Sequence, residues 1–359
     1  MKRLLIALVL LVSVLLMGFK VVMVTDVGGL GDKSFNDGTW AGIQRAVKEL
    51  KIEAKVIQSY EQSDYIPNLS KAAEEADLVF AVGFMMTDAL FKVARQYPKT
   101  LFVGIDITPP EGQTFPNVLT FTFKEQECAF LVGYLAAAMT KTGTVGFVGG
   151  IPIPPVERFR YGFEAGVKTY NTLYRKNVKV LRGYTQDFED PKKGKDLAMS
   201  QFNQGADIVF HASGACGNGV IEAAREKFSA LTKSSNLVDF INYYLENNRG
   251  FFAIGVDMDQ DYMAPGAVLA SAMKRVDTAS YLAVTWAYKG TFKGGHMVLG
   301  IAEDGVGISP MKYTKGIVPN RVIAELVYLE KLMKEGTLKV PETQEELDAF
   351  KVPTIRFPF

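Results

Sequence analysis

The chain is poor in the residue types that most often mark metal and redox chemistry. Only 2 histidines and 2 cysteines occur among 359 residues. His211 and His296 alone exclude a histidine-rich metal site, and the cysteines form no CxxC pair. Cys128 falls on an apolar helical pattern and Cys216 in a glycine-rich turn, so we expect two buried free thiols rather than a disulfide. Neither a metal nor a cofactor is expected.

An excess of charge of either sign is also missing. The chain carries 40 basic and 39 acidic residues, which leaves a net charge of +1. No basic cluster with interleaved aromatic residues is present, so nucleic acid is not an expected partner. The length and the 48% hydrophobic content are enough for the cores of two domains.

The longest apolar stretch lies at the N-terminus. Met1-Lys2-Arg3 precede an apolar run that extends to Met17. A basic start followed by such a run is typical of a secretory signal, and the run is too short for a comfortable membrane span. Residues 1–19 are therefore predicted to be a signal peptide or, because no A-x-A site follows, an uncleaved N-terminal anchor. Either implies export to the periplasm or to the outer face of the cell membrane.

From about Lys20 onward, short β-branched runs alternate with amphipathic helical patterns. This alternation predicts βαβ units and parallel sheets, which is an α/β fold class. A helix is expected at 124–139, with acidic residues in its first turn that suit the helix dipole, and the alternation then restarts. Two doubly wound halves follow from this pattern. The connection 229–249 is long and is predicted to contain an extra short helix.

Three apolar runs end on an aspartate at a turn. They are Asp26 after residues 21–25, Asp106 after 101–105 and Asp257 after 251–256. In open α/β sheets ligands bind outside the carboxyl ends of the strands. The repeated carboxylate therefore predicts acceptors for a ligand rich in hydroxyl or amide groups. Each aspartate alone is equally typical of a turn or a helix cap.

Aromatic and amide side chains occur in two of the predicted loops. Phe35 and Asn36 follow the glycine turn 28–34, whose spacing fits neither a phosphate loop nor a dinucleotide fingerprint. Phe188 stands among acidic residues before a proline, where a core position is hard to build. If Phe35 and Phe188 come from opposite halves, they could hold a flat ring between them. A core phenylalanine with an N-cap asparagine explains the first pair as well.

Two further candidates close strands in the second half. Gly214 lies in a glycine-rich turn after the predicted strand 207–211, where the backbone can approach a ligand closely. Lys274 ends the predicted strand 267–273 and could bind a hydroxyl or carboxylate group. A turn without a ligand and a solvated surface lysine are the corresponding structural explanations.

These residues resemble a known family. The stretch Val24-Thr-Asp-Val-Gly-Gly-Leu-Gly-Asp-Lys-Ser-Phe-Asn36 resembles the opening signature of the basic membrane protein family, the substrate-binding proteins of ABC importers that include purine nucleoside receptors. The similarity continues in collinear order through residues 133–137, 145–150, 159–166, 183–188, 211–220, 255–260 and 271–277. It extends over residues 20 to 340 or so.

The resemblance implies a type I periplasmic-binding-protein fold, with two doubly wound Rossmann-like lobes joined by a three-crossing hinge. Lobe 1 would comprise residues 20–123 and 276–296, and lobe 2 residues 124–275 and 297–359. It also implies a binding protein without catalytic residues, which works with an ABC permease and is expected to be a monomer.

The resemblance further implies a ligand site for guanosine, inosine or adenosine. The base would lie between Phe35 and Phe188. The base edge would be addressed by Asp26, Asn36 and Asp106, and the ribose by Gly214, Asp257 and Lys274. One departure concerns the N-terminus, because Phe19 stands where the family usually has a lipobox cysteine. Lipid anchoring is therefore not implied.

Two alternatives remain from the sequence. Another nucleoside or a sugar-like ligand would use the same polar residues with less need of the aromatic rings. A nucleoside N-ribohydrolase is suggested faintly by the aspartate-rich start at 25–32, although Thr25 occupies the position of the paired aspartate that those enzymes carry.

Overall fold

A computed structural model describes residues 18–359. The predicted signal peptide or anchor at 1–19 lies outside the described residues except for Gly18 and Phe19. Within the described part, strands and helices alternate as the sequence predicts. Among residues 18–359, no helix is long and apolar enough to cross a membrane.

The first series of elements contains five strands. They are β1 (Lys20–Thr25), α1 (Phe35–Leu50), β2 (Glu53–Ile57), α2 (Tyr65–Glu75), β3 (Leu78–Val82), α3 (Thr87–Gln96), β4 (Leu101–Ile105) and β5 (Val118–Phe123). β1 pairs in parallel with β2 and β3, and β3 pairs in parallel with β4. Every residue of β3 is buried, as expected for a strand that helices cover on both faces.

The second series repeats this organisation. It consists of α4 (Glu125–Met139), β6 (Thr144–Gly149), α5 (Pro154–Tyr174), β7 (Lys179–Tyr184), α6 (Pro191–Asn203), β8 (Ile208–Ala212), α7 (Cys216–Thr232), α8 (Leu237–Asn247), β9 (Phe252–Asp257) and β10 (Val268–Lys274). β6 pairs in parallel with β7 and β8, β8 with β9, and β9 with β10. The extra helix predicted within 229–249 is α8.

The remaining elements are α9 (Val276–Tyr288), β11 (Gly295–Leu299), β12 (Val306–Ile308), α10 (Asn320–Lys334) and α11 (Gln344–Ala349). Within the described residues the strands form two six-stranded sheets. Their orders are β11-β5-β4-β3-β1-β2 and β12-β10-β9-β8-β6-β7. β12 pairs antiparallel with β10. The sequence did not predict β12 or α11, because three- and six-residue elements are too short to show a period.

The described residues group into two compact units. Unit 1 comprises the described residues up to Asp26 with Thr39–Thr120 and Asp277–His296, and unit 2 comprises Val27–Gly38, Phe121–Val276 and Met297–Phe359. The sequence assigned residues 27–38 to lobe 1, whereas their contacts lie in unit 2. Phe35 and Phe188 therefore belong to the same unit by contacts.

Helix α4 is buried on nearly every side, which is typical of a helix enclosed in a core. Its backbone packs directly against the backbone of α5 at Gly133, Gly162 and Gly166. A Cβ atom at Gly133 would lie 2.2 Å from the carbonyl oxygen of Phe163. At Gly166 a Cβ atom would lie 2.1 Å from the carbonyl oxygen of Phe130. Only glycine permits this helix–helix approach. Both cysteines are buried and free, as predicted.

Replacing Gly166 with alanine should therefore destabilise unit 2. The new methyl group meets a backbone oxygen that cannot turn away, so the two helices must separate. We expect a loss of about 3 kcal/mol in the free energy of unfolding, measured by urea denaturation. Gly316→Ala is the control, because no atom lies within 4 Å of a Cβ atom there. Equal stability of the two variants would contradict the packing described for α4 and α5.

Candidate functional site

The carboxyl ends of five neighbouring strands bring polar and aromatic groups together in unit 2. Gly150 follows β6, Ser213 follows β8, and Asp257 and Lys274 are the last residues of β9 and β10. Phe188 lies in the loop that follows β7. This is the sheet edge at which doubly wound proteins bind ligands.

Lys274 is a buried cation, not a surface lysine. Its side chain is 2% exposed, and Nζ lies 2.9 Å from Oε1 of Glu125 in the first turn of α4. The other oxygen of Glu125 accepts a 2.6 Å hydrogen bond from Nε of Arg158. Burial raises the pKa of Glu125, but the attraction of Lys274 and Arg158 outweighs burial and leaves this pKa lowered. The three residues form one ion-paired network.

Aromatic rings surround the ammonium group of Lys274. Nζ lies 5.0 Å from the ring centroid of Phe35, 5.2 Å from that of Phe123 and 5.8 Å from that of Phe159. Distances below about 6 Å to a ring face are typical of cation–π attraction. Phe35 is half-buried, so its ring contacts the cation and still retains accessible surface.

Asp257 has an unusual backbone conformation and one oxygen without a protein partner. Its φ angle of 61° lies in the left-handed region, which aspartate tolerates better than most residues. Oδ2 accepts a 2.5 Å hydrogen bond from Oγ of Ser34. Oδ1 is buried and has no hydrogen-bond partner among residues 18–359. Burial raises the pKa of Asp257, although Lys274 and Ser34 act in the opposite direction.

The segment 27–38, which carries Phe35 and Asn36, is held by hydrogen bonds within unit 2. The carboxylate of Asp32 accepts the backbone N–H groups of Ser34, Asn36 and Asp37 at the start of α1. The capping carboxylate is thus Asp32, so the alternative that Asn36 is the N-cap is wrong. Burial raises the pKa of Asp32 to about 7, while the three backbone donors act to lower it.

Gln260 connects this segment to the strand ends. Its Nε2 donates to the carbonyl oxygen of Lys33 at 3.0 Å. Its Oε1 accepts the backbone N–H of Val256 at 2.9 Å and lies 3.0 Å from Nε2 of His211. The fully buried His211 thereby helps to fix Gln260. Burial lowers the pKa of His211 to about 4, so the imidazole is neutral above that pH.

The ring of Phe188 lies on glycine backbone. A Cβ atom at Gly150 would lie 2.2 Å from Cε1 of Phe188, and a Cβ atom at Gly214 would lie 3.5 Å from Cδ1. Gly214 also has a φ angle of 55°. The backbone N–H of Ala215 donates to the carbonyl oxygen of Phe188 at 2.8 Å. The glycines explain why this loop can seat a half-buried aromatic ring.

Asp26 and Asp106 lie in unit 1, at the carboxyl ends of β1 and β4. Both are more than nine-tenths buried. A Cβ atom at Gly83 would lie 2.7 Å from Oδ2 of Asp26, so this carboxylate packs against the backbone that follows β3. Asp106 has a φ angle of 61°, the same as Asp257 in the other unit.

Four residues that shape this site were not among those predicted from the sequence. They are Ser34, Asp32, Glu125 and Gln260. Glu125 illustrates the reason, because an acidic residue in the first turn of a helix is already explained by the helix dipole. Its burial against Lys274 depends on residues 149 positions apart, and no local pattern carries that information. An acid in the first turn of an otherwise apolar helix was the available signal.

Among residues 18–359 no group of three or more metal-ligating side chains is arranged as a metal site. A profile of the Bmp family, described as ABC transporter substrate-binding protein PnrA-like, matches residues 19–344. The chain belongs to this family. The PnrA-like assignment confirms the family resemblance identified from the sequence.

Several relatives are similar to this chain over most of its length. It is 34% identical to the CD4+ T-cell-stimulating antigen of Listeria monocytogenes, over 90% of this chain and 88% of the relative. It is 36% identical to an uncharacterized lipoprotein of Pyrococcus horikoshii, over 80% of this chain and 68% of the relative. Basic membrane protein A1 of Borrelia garinii subsp. bavariensis is 32% identical, over 92% of this chain and 90% of the relative.

Solved structures confirm the fold class. An ABC transporter solute-binding protein of Aeropyrum pernix superposes with a TM-score of 0.80 at 28% identity, over 92% of this chain and 96% of that chain. The chain therefore has the type I periplasmic-binding-protein fold. It is an ABC-transporter substrate-binding protein and not an enzyme, which removes the N-ribohydrolase alternative.

The buried ion pair should contribute strongly to the stability of unit 2. Lys274→Met leaves Glu125 with one cationic partner, and we expect a loss of about 3 kcal/mol in the free energy of unfolding. In the double variant Glu125→Gln/Lys274→Met the loss should fall short of the sum of the single losses by about 1 kcal/mol or more. Urea denaturation measures the free energy of unfolding of the single and double variants. The control Lys331→Met removes an exposed partner of Glu335 and should change stability by less than about 1 kcal/mol.

His211 should make the protein sensitive to acid. Its pKa is about 4 in the folded chain and 6.5 when unperturbed, so the unfolded state binds more protons between these values. The contribution of neutral His211 to the free energy of unfolding is fully present above pH 6.5. It falls by about 3 kcal/mol as the pH falls towards 4. His211→Gln should flatten this part of the stability–pH curve, whereas His296→Gln, at an exposed position, should retain most of it. Parallel curves for wild type and His211→Gln would contradict this assignment.

Proposed function

We propose that the chain binds purine nucleosides and delivers them to an ABC permease. The observation that carries the proposal is the combination at the strand ends of unit 2: a buried ammonium and a buried carboxylate beside half-buried aromatic rings. A nucleoside has the matching parts, a flat base and a ribose with vicinal hydroxyl groups. Aliphatic amino acids and inorganic ions lack the flat part, and simple sugars do not need it.

The aromatic rings account for the base. Phe35 and Phe188 are both half-buried; Phe35 is the first residue of α1, and Phe188 lies in the loop after β7. Stacking on aromatic side chains contributes about 1–3 kcal/mol per base. The backbone of Gly150 and Gly214 packs against the Phe188 ring and fixes its plane before a ligand binds. A ring that is already ordered lowers the entropic cost of binding.

The ribose is assigned to the charged groups. A carboxylate accepts hydrogen bonds from hydroxyl groups, and such charge-assisted bonds are strong where water is excluded. Asp257 offers Oδ1 for this purpose, since Ser34 occupies Oδ2. Lys274 supplies a donor from the next strand, and Gly214 lets the backbone approach the sugar.

The remaining predicted contacts concern the base edge. Asn36 is 2% exposed and its backbone N–H is bonded to Asp32. Asp26 and Asp106 of unit 1 stay predictions that rest on the family resemblance. Carboxylate and amide groups are suited to the ring nitrogens and exocyclic groups that distinguish guanosine, inosine and adenosine.

The proposal includes a location and a partner. Relatives from Pyrococcus are described as lipoproteins, and substrate-binding proteins of ABC transporters meet a permease. We place this chain outside the cytoplasm, as a monomer, either in the periplasm or at the outer face of the membrane. A signal peptide or anchor at residues 1–19 would serve that placement.

Phe188→Ala tests the nucleoside proposal against the alternative of a sugar-like ligand. Loss of one stacking ring should weaken guanosine, inosine or adenosine binding about 10- to 100-fold in titration calorimetry. Phe188 is a better choice than Phe35, whose ring also contacts Lys274. Phe359→Ala, which removes an exposed phenylalanine, is the control and should bind as wild type.

The opposite outcomes are equally informative. Wild-type protein that binds a free pentose or hexose but none of the three nucleosides would refute the nucleoside proposal. Unchanged nucleoside affinity in Phe188→Ala would remove this ring from the site.

A further inference from the structure

A buried hydroxyl group at the end of β8 has no hydrogen-bond partner in the described part of the chain. Ser213 directly follows β8 and is 1% exposed. Its Oγ has no hydrogen-bond partner among residues 18–359. Native proteins pair the large majority of buried polar side-chain atoms, and an unpaired one costs free energy of folding. Such an atom in a native fold calls for a physical reason.

A second unpaired polar atom lies at the neighbouring strand end. β8 and β9 pair in parallel, with Phe210 opposite Ile254. The observed pairs end there, and the same register continued by three residues would match Ser213 with Asp257. The Oδ1 atom of Asp257 is likewise buried and without a partner among the described residues. An acceptor oxygen and a hydroxyl that can donate or accept thus occur at the carboxyl ends of two paired strands, with no hydrogen bond between them.

The surroundings distinguish this pair from ordinary core packing. Ser213 precedes Gly214, which contacts Phe188, and the other carboxylate oxygen of Asp257 accepts the hydrogen bond from Ser34. His211 provides a contrast, because its unpaired Nδ1 would lie 2.1 Å from a Cβ atom at Gly217 and so faces tightly packed backbone. The Ser213 hydroxyl belongs instead to the edge that the proposed function assigns to the ribose.

We infer that Ser213 contacts the ligand and, together with Oδ1 of Asp257, recognises two adjacent hydroxyl groups. This inference rests on the proposed function. One ligand hydroxyl donates to the carboxylate oxygen, which can only accept. Its neighbour exchanges a hydrogen bond with the Ser213 hydroxyl. A ligand with a vicinal diol satisfies both atoms, whereas a ligand that lacks one hydroxyl leaves a buried polar atom unpaired and is rejected.

Ser213→Ala tests the assignment. Titration calorimetry should use guanosine, inosine and adenosine together with the 2′-deoxy and 3′-deoxy form of each. We expect Ser213→Ala to bind the ribonucleosides about 5- to 30-fold more weakly than wild type. Affinity for one of the two deoxy forms, the one that lacks the hydroxyl facing Ser213, should be unchanged. The preference of wild type for ribonucleoside over that form should therefore shrink.

Stability separates this role from a structural one. Removal of an unpaired buried hydroxyl should leave the urea midpoint of the ligand-free protein unchanged or raise it. Ser309→Ala is the matched control, because the buried Oγ of Ser309 accepts the backbone N–H of Ser271 at 2.8 Å. That variant should lose stability and keep the ratio of ribonucleoside to deoxynucleoside affinity.

The outcomes are distinct. Wild type that binds none of the nine compounds overturns the proposed function and this assignment with it. Wild type that binds ribonucleosides while Ser213→Ala binds all forms with unchanged affinity, or weakens all of them equally, overturns the role of Ser213 alone. A lowered urea midpoint with an unchanged affinity ratio shows a structural hydroxyl and also overturns it.

Discussion

A positive charge almost removed from water organises the ligand edge of unit 2. An unpaired charge in such a place would cost several kcal/mol, so Lys274 requires a carboxylate. Glu125 supplies it from the first turn of α4, and Arg158 on α5 binds the second carboxylate oxygen. The last residue of β10 and the beginnings of two helices are thereby held in one geometry.

Glycine makes the arrangement possible in two places. Gly133 and Gly166 let α4 and α5 approach until backbone meets backbone, which brings Glu125 and Arg158 within reach of each other. Gly150 and Gly214 do the same for the ring of Phe188. A ring seated on backbone has few alternative rotamers, so the surface is formed before a ligand binds. Preorganisation of this kind converts more of the contact energy into affinity.

The sequence predicted those features that follow from local periodicity. Alternating runs identified the two sheets, and the helix expected within 229–249 is present. Features that depend on distant residues were not predictable. Asp32 was not recognised as the cap of α1, and residues 27–38 were grouped with lobe 1 because they follow β1, although their bonds run to Gln260 and Asp257. Chain order indicates neighbours in sequence and carries no information on such contacts.

The strand-ending aspartates could be recognised from the sequence because the same backbone conformation occurs at a strand end in both units. Asp106 and Asp257 each end a buried strand with a φ angle of 61°. A left-handed residue turns the chain out of the strand, and aspartate is among the few side chains that accept this conformation. Such a backbone weakens the fold, and so does a carboxylate oxygen at Asp257 that is buried without a partner among residues 18–359. Sites that depart from the best local choice in this way are typical of binding surfaces, where a ligand supplies the missing interaction.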